Sequence, residues 1–188
     1  RQTSASTVDG YLVKTDSVGN LQWQKLMGTG YQLWAKTLIN GNILVYGGKE
    51  TSSPSITDPY VAIVDPLSSA TIDEDSFEVS DYSNYCAFTD AIETDGQIYF
   101  TGGFGHPDLM ITTGLWFKIN LSLDSIGMNY YYARINSNYL WCINQMPDNG
   151  FVMTGFVSSD TTAGSTQDSW LVRVDSMGCE NISCALSV

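Results

Sequence analysis

With 188 residues, 43% of them hydrophobic and 15% charged, the chain suits one globular domain of ordinary size. No run approaches the ~20 apolar residues that a membrane-spanning helix needs. A net charge of −12, from 8 basic and 20 acidic side chains, argues against binding the phosphates of nucleic acid or an anionic membrane surface.

Eleven Tyr, seven Phe and five Trp suit an all-β core, in which large flat side chains fill the gaps between twisted sheets. Arg1–Thr7 is small and polar and reads as a loop. Tyr11, Val13 and Thr15 then alternate with Leu12 and Lys14, the pattern of a half-buried strand. Asp16-Ser17-Val18-Gly19-Asn20 supplies a turn, because Asp binds its own backbone and Gly accepts positive φ. Leu21–Leu26 is the return strand. Next come Tyr31-Gln32-Leu33-Trp34 and the glycine-led strand Gly41–Gly47.

The same elements recur downstream. Tyr11, Tyr60, Leu115 and Trp170 open equivalent strands, 49, 55 and 55 residues apart. Tyr31, Tyr85 and Tyr139 are 54 residues apart, and Gly41, Gly96 and Gly150 follow at 55 and 54. Three landmarks with one period of about 50 residues, and four short strands per period, are the signature of a β-propeller blade. The expected fold is an all-β propeller segment of about three and a half four-stranded antiparallel blades. Residues 1–178 form the blades, as part of a larger propeller, and 179–188 form a tail. The Trp34, Phe88 and Trp141 segments are the expected innermost strands. Full blades are expected over 31–79 and 85–134, and a third over 139–174 without a clear outer strand. Because Arg1 falls in mid-loop, the chain is expected to be a piece of a longer polypeptide. In isolation it would expose two raw blade faces and be marginally stable or self-associate.

Tight turns at Asn40-Gly41, Asp95-Gly96 and Asp148–Gly150 share one end of the sheets with Asp16–Asn20 and its copies. The other end collects the segments 48–57, 103–113 and 157–167, rich in Ser, Thr, Gly and Pro and different in each copy. Regular turns at one end and divergent loops at the other suit a scaffold that presents a binding surface, or spacers at tolerant positions. Lys49, His106 and Asp108 on these segments are candidate binding residues. Tyr31, Tyr85 and Tyr139 stand where each first strand begins. They serve either blade-to-blade packing or an aromatic ring at the channel mouth that stacks on sugars or peptides.

Other chemistry is sparse. His106 is the only histidine, and no Gly-x-Ser-x-Gly nucleophile turn is present. No catalytic residue, metal ligand set or cofactor is expected. Calcium on Asp73-Glu74-Asp75 is the one weak exception, without an EF-hand loop. Cys86 and Cys142 read as small core residues, and Cys179 and Cys184, five apart in a polar stretch, suit a small disulfide loop in an oxidising compartment. A hydrolase or lyase reading would need two acids about 5–10 Å apart across the channel mouth. A spacer would carry no convergent polar groups.

Lys14, Asp16, Ser17, Gly19, Asn20, Leu21 and Trp23, with Thr101-Gly102, Thr154-Gly155 and the closing Asp175-Ser176-Met177-Gly178-Cys179, resemble the degenerate propeller repeats of large secreted proteins of Bacteroidetes-type bacteria. The resemblance covers nearly the whole chain. It implies export to the cell surface or medium by a type IX secretion route, with a secretion-sorting domain after the repeats, and adhesion or glycan binding as the role. In that lineage Asp-Ser-apolar triplets such as Asp16-Ser17-Val18 and Asp175-Ser176-Met177 are also O-glycan acceptors. The expected partners are therefore a glycan or protein ligand and the rest of the propeller, with neither nucleic acid nor membrane insertion.

Overall fold

The computed structural model describes residues 2–4, 7–29, 32–50, 57–77, 86–106, 111–133, 137–158 and 167–180. Those residues form no helix. They make fourteen strands: β1 (Gln2–Ser4), β2 (Thr7–Thr15), β3 (Leu21–Thr29), β4 (Gln32–Thr37), β5 (Ile43–Glu50), β6 (Thr57–Val64), β7 (Thr71–Ser76), β8 (Ala87–Thr94), β9 (Gln97–His106), β10 (Ile111–Asn120), β11 (Ser125–Tyr131), β12 (Asn138–Gln145), β13 (Phe151–Ser158) and β14 (Gln167–Val174). Within each sheet, strands that follow one another in sequence pair antiparallel. The result is four successive sheets, β1–β3, β4–β7, β8–β11 and β12–β14. The two middle sheets have four strands and the outer two have three among the described residues.

One turn design closes the last hairpin of each unit. Asp16 Oδ1 accepts from the Val18 and Asn20 amides at 3.0 and 2.8 Å. Asp65 accepts from Leu67 and Ser68 at 2.7 and 2.8 Å, and Asp175 from Met177 and Cys179 at 2.8 and 2.9 Å. Asn120 Oδ1 does the same for Ser122 and Asp124. Pro66–Ala70, which breaks the sequence pattern, keeps the carboxylate cap in a turn one residue longer: the Asp65 amide donates to the Ala70 carbonyl, whereas that of Asp16 donates to Asn20. In the third unit Asn120 opens the turn and Asp124 closes it, so the Asp-Ser-Ile-Gly run there is not the turn opener that its spelling suggests. In the first hairpin of the third sheet, Asp95 and Gly96 take φ of 52° and 71°. Both are positive, as a two-residue turn matched to strand twist requires.

The sheets stack face to face in chain order. Alternation along a strand sends successive side chains to opposite faces, and three apolar clusters record the outcome. Tyr60, Ala62 and Val64 of β6 pack with Met27 and Leu12 of the first sheet. Val61 and Ile63 of the same strand pack with Phe100, Leu115 and Phe117 of the third sheet. Tyr99 and Trp116 turn the other way, onto Leu140, Phe151, Met153 and Val172 of the fourth. Each sheet thus has a forward face, toward the next sheet, and a backward face, toward the previous one. Both faces of β6 and β10, inside the middle sheets, are buried, which is why these strands read as nearly unbroken apolar runs.

Close approach between sheets depends on small residues. A Cβ at Gly48 would lie 2.9 Å from the Cys86 carbonyl oxygen, and one at Gly103 would lie 2.4 Å from the Tyr139 ring. The second glycine of each Gly-Gly pair thereby admits the first strand of the next sheet. The fourth sheet has Phe156 at that place.

Several sequence expectations are corrected here. Gln2–Ser4 is a strand paired to β2, not part of a loop. Lys49 lies in β5 opposite Asp58, and His106 ends β9 opposite Ile111, so backbone pairing carries the strands into segments read as loops. Cys142 is exposed, on the forward face of the fourth sheet, against which no other sheet packs among the described residues. Cys86 is buried as expected.

Candidate functional site

Antiparallel succession puts both kinds of tight turn at one end of the sheets, and that turn end is uniform and tied down. In the first and third sheets, forward-facing side chains of the last hairpin reach the turn of the next sheet. Lys14 Nζ and Trp23 Nε1 donate to the Pro66 carbonyl at 2.8 and 3.0 Å, and Lys25 Nζ to that of Ser69 at 2.9 Å. Asn129 Nδ2 donates to the Met177 and Gly178 carbonyls at 3.1 and 3.0 Å, and the Tyr131 hydroxyl also donates to that of Gly178. The Asn20 side chain and then backbone amides hold the Asp16 carboxyl below the usual carboxylate range, and the Ser68 and Leu67 amides do the same for Asp65. Such turns are scaffold and offer few unpaired groups to a ligand.

The opposite end carries the candidate residues that the structure describes. Lys49 closes β5, with its ammonium 5.8 Å from the Tyr60 ring centroid. His106 closes β9. Tyr139 opens β12 opposite Phe156 on β13, the rings stacking at 5.2 Å between centroids and 25° between planes. Trp141 stacks on Tyr139 and Phe156 at 6.2 and 6.3 Å. The Tyr139 ring also fills the space above Gly103 of the third sheet. Sheet-to-sheet packing, one of the two roles weighed for the periodic tyrosines, is thus present at Tyr139. Tyr31, Tyr85, Asp108 and Cys184 lie outside the described residues. So does the proposed pairing of Cys184 with Cys179, whose own side chain is buried.

Two features were not singled out from the sequence. A shallow groove of about 420 Å³ runs over the forward face of the fourth sheet, lined by Trp141, Thr154, Gly155, Ser169, Trp170 and Leu171. The other is Asp90. Its Oδ1 lies 2.6 Å from Lys36 Nζ of β4, and its Oδ2 accepts from the Ile143 amide of β12 at 3.0 Å. The Tyr46 hydroxyl also bonds this carboxylate. Burial, and then the charge of Asp90, push the Tyr46 phenol well above its ordinary range. One side chain thereby joins the first strands of three successive sheets. No local motif could mark it, since Lys36 and Tyr46 precede it, and Ile143 follows it, by more than 40 residues.

Asp73-Glu74-Asp75 lies along the edge strand β7, where successive side chains take opposite faces, and Glu74 accepts from the Tyr60 hydroxyl at 2.6 Å. The three carboxylates therefore do not converge. Among the described residues no group of three or more His, Cys, Asp or Glu side chains is placed to hold one ion. No protein-family model matches the chain, and no curated protein matches it.

Proposed function

We propose that the four sheets are consecutive blades of a β-propeller. On this reading the chain is a non-enzymatic binding module that works outside the cell and engages a glycan or protein ligand at the end opposite the tight turns. The difference between the two ends carries the reading. At the turn end every unit repeats one side-chain-locked design. At the other end the connecting segments differ in length and composition from copy to copy, over a rigid base of paired strands. Lys49, His106 and Tyr139 all fall at that end.

Convergence of β4, β8 and β12 on Asp90 supports a radial arrangement, since those first strands would be the ones nearest a common axis. The resemblance to exported bacterial repeats supports the extracellular setting. The test is a screen of the purified chain on a neutral and acidic glycan array and on extracellular protein preparations. It is repeated after residues 107–110 and 159–166 are replaced by Gly-Ser segments, and after Ser17→Ala and Ser68→Ala at the turn end. Binding should be lost only with the loop replacements. Binding that survives them, or that depends on the turn end, would overturn the proposal.

A further inference from the structure

Two Asn-Gly pairs occur in the chain, Asn40-Gly41 and Asn149-Gly150. Each lies in the turn between the first and second strands of its sheet. The two turns share one design: the opening amide donates to the closing carbonyl, Leu38 to Asn42 and Met146 to Gly150, at 2.8 Å in both. The pairs are out of step within it. Asn40 holds the place of Asp148, and Gly41, at φ 88°, holds the place of Asn149, at φ 64°. Asn40 and Asp148 make the same contact, since the Oδ1 of each accepts from the amide two residues on, at 3.0 and 3.1 Å. The Asn149 side chain is exposed and makes no hydrogen bond among the described residues. Gly41 and, in the third sheet, Asp95 and Gly96 are exposed at the same place although a further sheet follows each. Exposure here therefore belongs to the turn and not to its position in the stack.

We infer that Asn149 is a site of spontaneous deamidation, and that Asp148 governs its rate by holding the attacking amide. The chemistry is intramolecular. Water or hydroxide takes the Gly150 amide proton, the nitrogen bonds to Asn149 Cγ, the Cγ–Nδ2 bond breaks, and ammonia leaves. Water then opens the cyclic imide. Opening at the side-chain carbonyl gives aspartate, and opening at the main-chain carbonyl gives isoaspartate, with the chain running through the former side chain. A following glycine hinders this least, because it has no Cβ. In the imide, Cγ takes the in-plane position that the amide hydrogen held on the planar peptide nitrogen. An amide whose hydrogen is engaged must therefore let go before it attacks. The Gly41 amide is held by the Leu38 carbonyl at 2.9 Å, within the backbone of its turn, and the Asn40 side chain is itself held by the Asn42 amide. At Gly150 the holder is one carboxylate oxygen of an exposed side chain, for which water competes. Arg173 Nη2, 2.6 Å from the other oxygen, keeps that carboxylate in place. Reaction adds a negative charge beside Asp148, and its isoaspartate product lengthens the backbone inside the turn that joins β12 to β13. The inference is independent of any ligand at the loop end.

The experiment incubates the folded chain at mildly alkaline pH and follows amide-to-acid conversion at Asn149 and Asn40 separately, by peptide mapping with mass spectrometry. Circular dichroism checks folding, and Asn40 serves as the internal clock. The parent is compared with Asp148→Ala, which removes the holder, with Asp148→Asn, which keeps an acceptor oxygen, and with Arg173→Gln, which leaves the carboxylate on Gly150. In the folded parent Asn149 should convert faster than Asn40. In strong denaturant, where both are plain Asn-Gly pairs, the two rates should be alike. Asp148→Ala should speed Asn149 by about three- to tenfold, the loss of one exposed hydrogen bond, and leave Asn40 unchanged. Asp148→Asn should fall between that variant and the parent, and Arg173→Gln should stay close to the parent. Asn40 converting as fast as Asn149 in the folded chain, or no acceleration at Asn149 in Asp148→Ala, would overturn the inference. So would equal acceleration at both sites, which reports general loosening, or a rise in Arg173→Gln as large as in Asp148→Ala, which assigns the effect to the ion pair.

Discussion

Val13 and Val172 allow one substitution to be made twice in the same local sequence. Val→Ala removes two methyl groups, about 1.6 kcal/mol of transfer free energy at ~0.8 kcal/mol each. At Val172, 2% exposed and packed among Trp116, Phe151 and Met153, the cavity left behind raises the cost to about 2–3 kcal/mol. At Val13, 54% exposed, less than half of the transfer term is available and no cavity forms, so the cost is about 0.5–0.7 kcal/mol. Against a total stability of roughly 5–15 kcal/mol, a difference of about 2 kcal/mol is readily measured. The assay is urea unfolding followed by circular dichroism, at a concentration low enough to keep the chain monomeric, with an unchanged m-value as the check on two-state behaviour. Equal costs at the two sites, or a larger one at Val13, would refute the assignment of buried and open faces.

Three further outcomes follow from named contacts. Asp90→Ala should destabilise by about 2–4 kcal/mol, because the Ile143 amide, Lys36 and Tyr46 lose one shared charged partner; hydrogen exchange should show β4, β8 and β12 loosening together. Gly103→Ala should cost about 1–3 kcal/mol by crowding the Tyr139 ring, and much of that cost should vanish in a Tyr139→Ser background, read as coupling in a double-mutant cycle. The depressed carboxyls of Asp16, Asp65 and Asp148 contribute stability that is fully present above the unfolded value near 3.8 and is lost as pH falls through their lower folded values. Asp16→Asn with Asp65→Asn should therefore flatten the fall of stability with pH below about 4, and an unchanged slope in acid unfolding curves would count against the turn design.

Much of the architecture was legible because it is written locally. Turn chemistry at Asp16-Gly19, Asn40-Gly41 and Asp95-Gly96 marks where strands end, and the recurrence of those marks gives the strand order within each sheet. What escaped was decided by neighbours in space. Whether an alternating strand is buried on one face or two depends on a sheet that the strand itself does not encode. Cys142 was therefore expected inside and lies exposed, and the pairs Leu12-Val13 and Leu171-Val172 look alike in sequence. Strand ends at Lys49 and His106 were hidden because cross-strand pairing continues through Gly- and Ser-rich residues that propensity alone assigns to loops. The Gly-Gly pairs were visible as landmarks, but their use, admitting the next sheet at Gly48 and Gly103, follows only from the stack. Of the candidate site, the grouping of Lys49, His106 and Tyr139 at one end followed from topology. The aromatic stack and the Asp90 junction did not, since both depend on side chains brought together by pairing and stacking.

Side-chain NOE spectroscopy on selectively labelled protein tests the stacking order most directly. Cross-peaks are expected from the Tyr46 ring to Phe100, from Trp116 to Phe151 and from the Met153 methyl to Thr101, whose hydroxyl lies 3.4 Å from the Met153 sulfur. Val13 and Leu171 of one monomer should share none. Contacts that instead join the second sheet directly to the fourth, with Tyr46 near Phe151 or Met153, would contradict a succession of sheets each packed on the next.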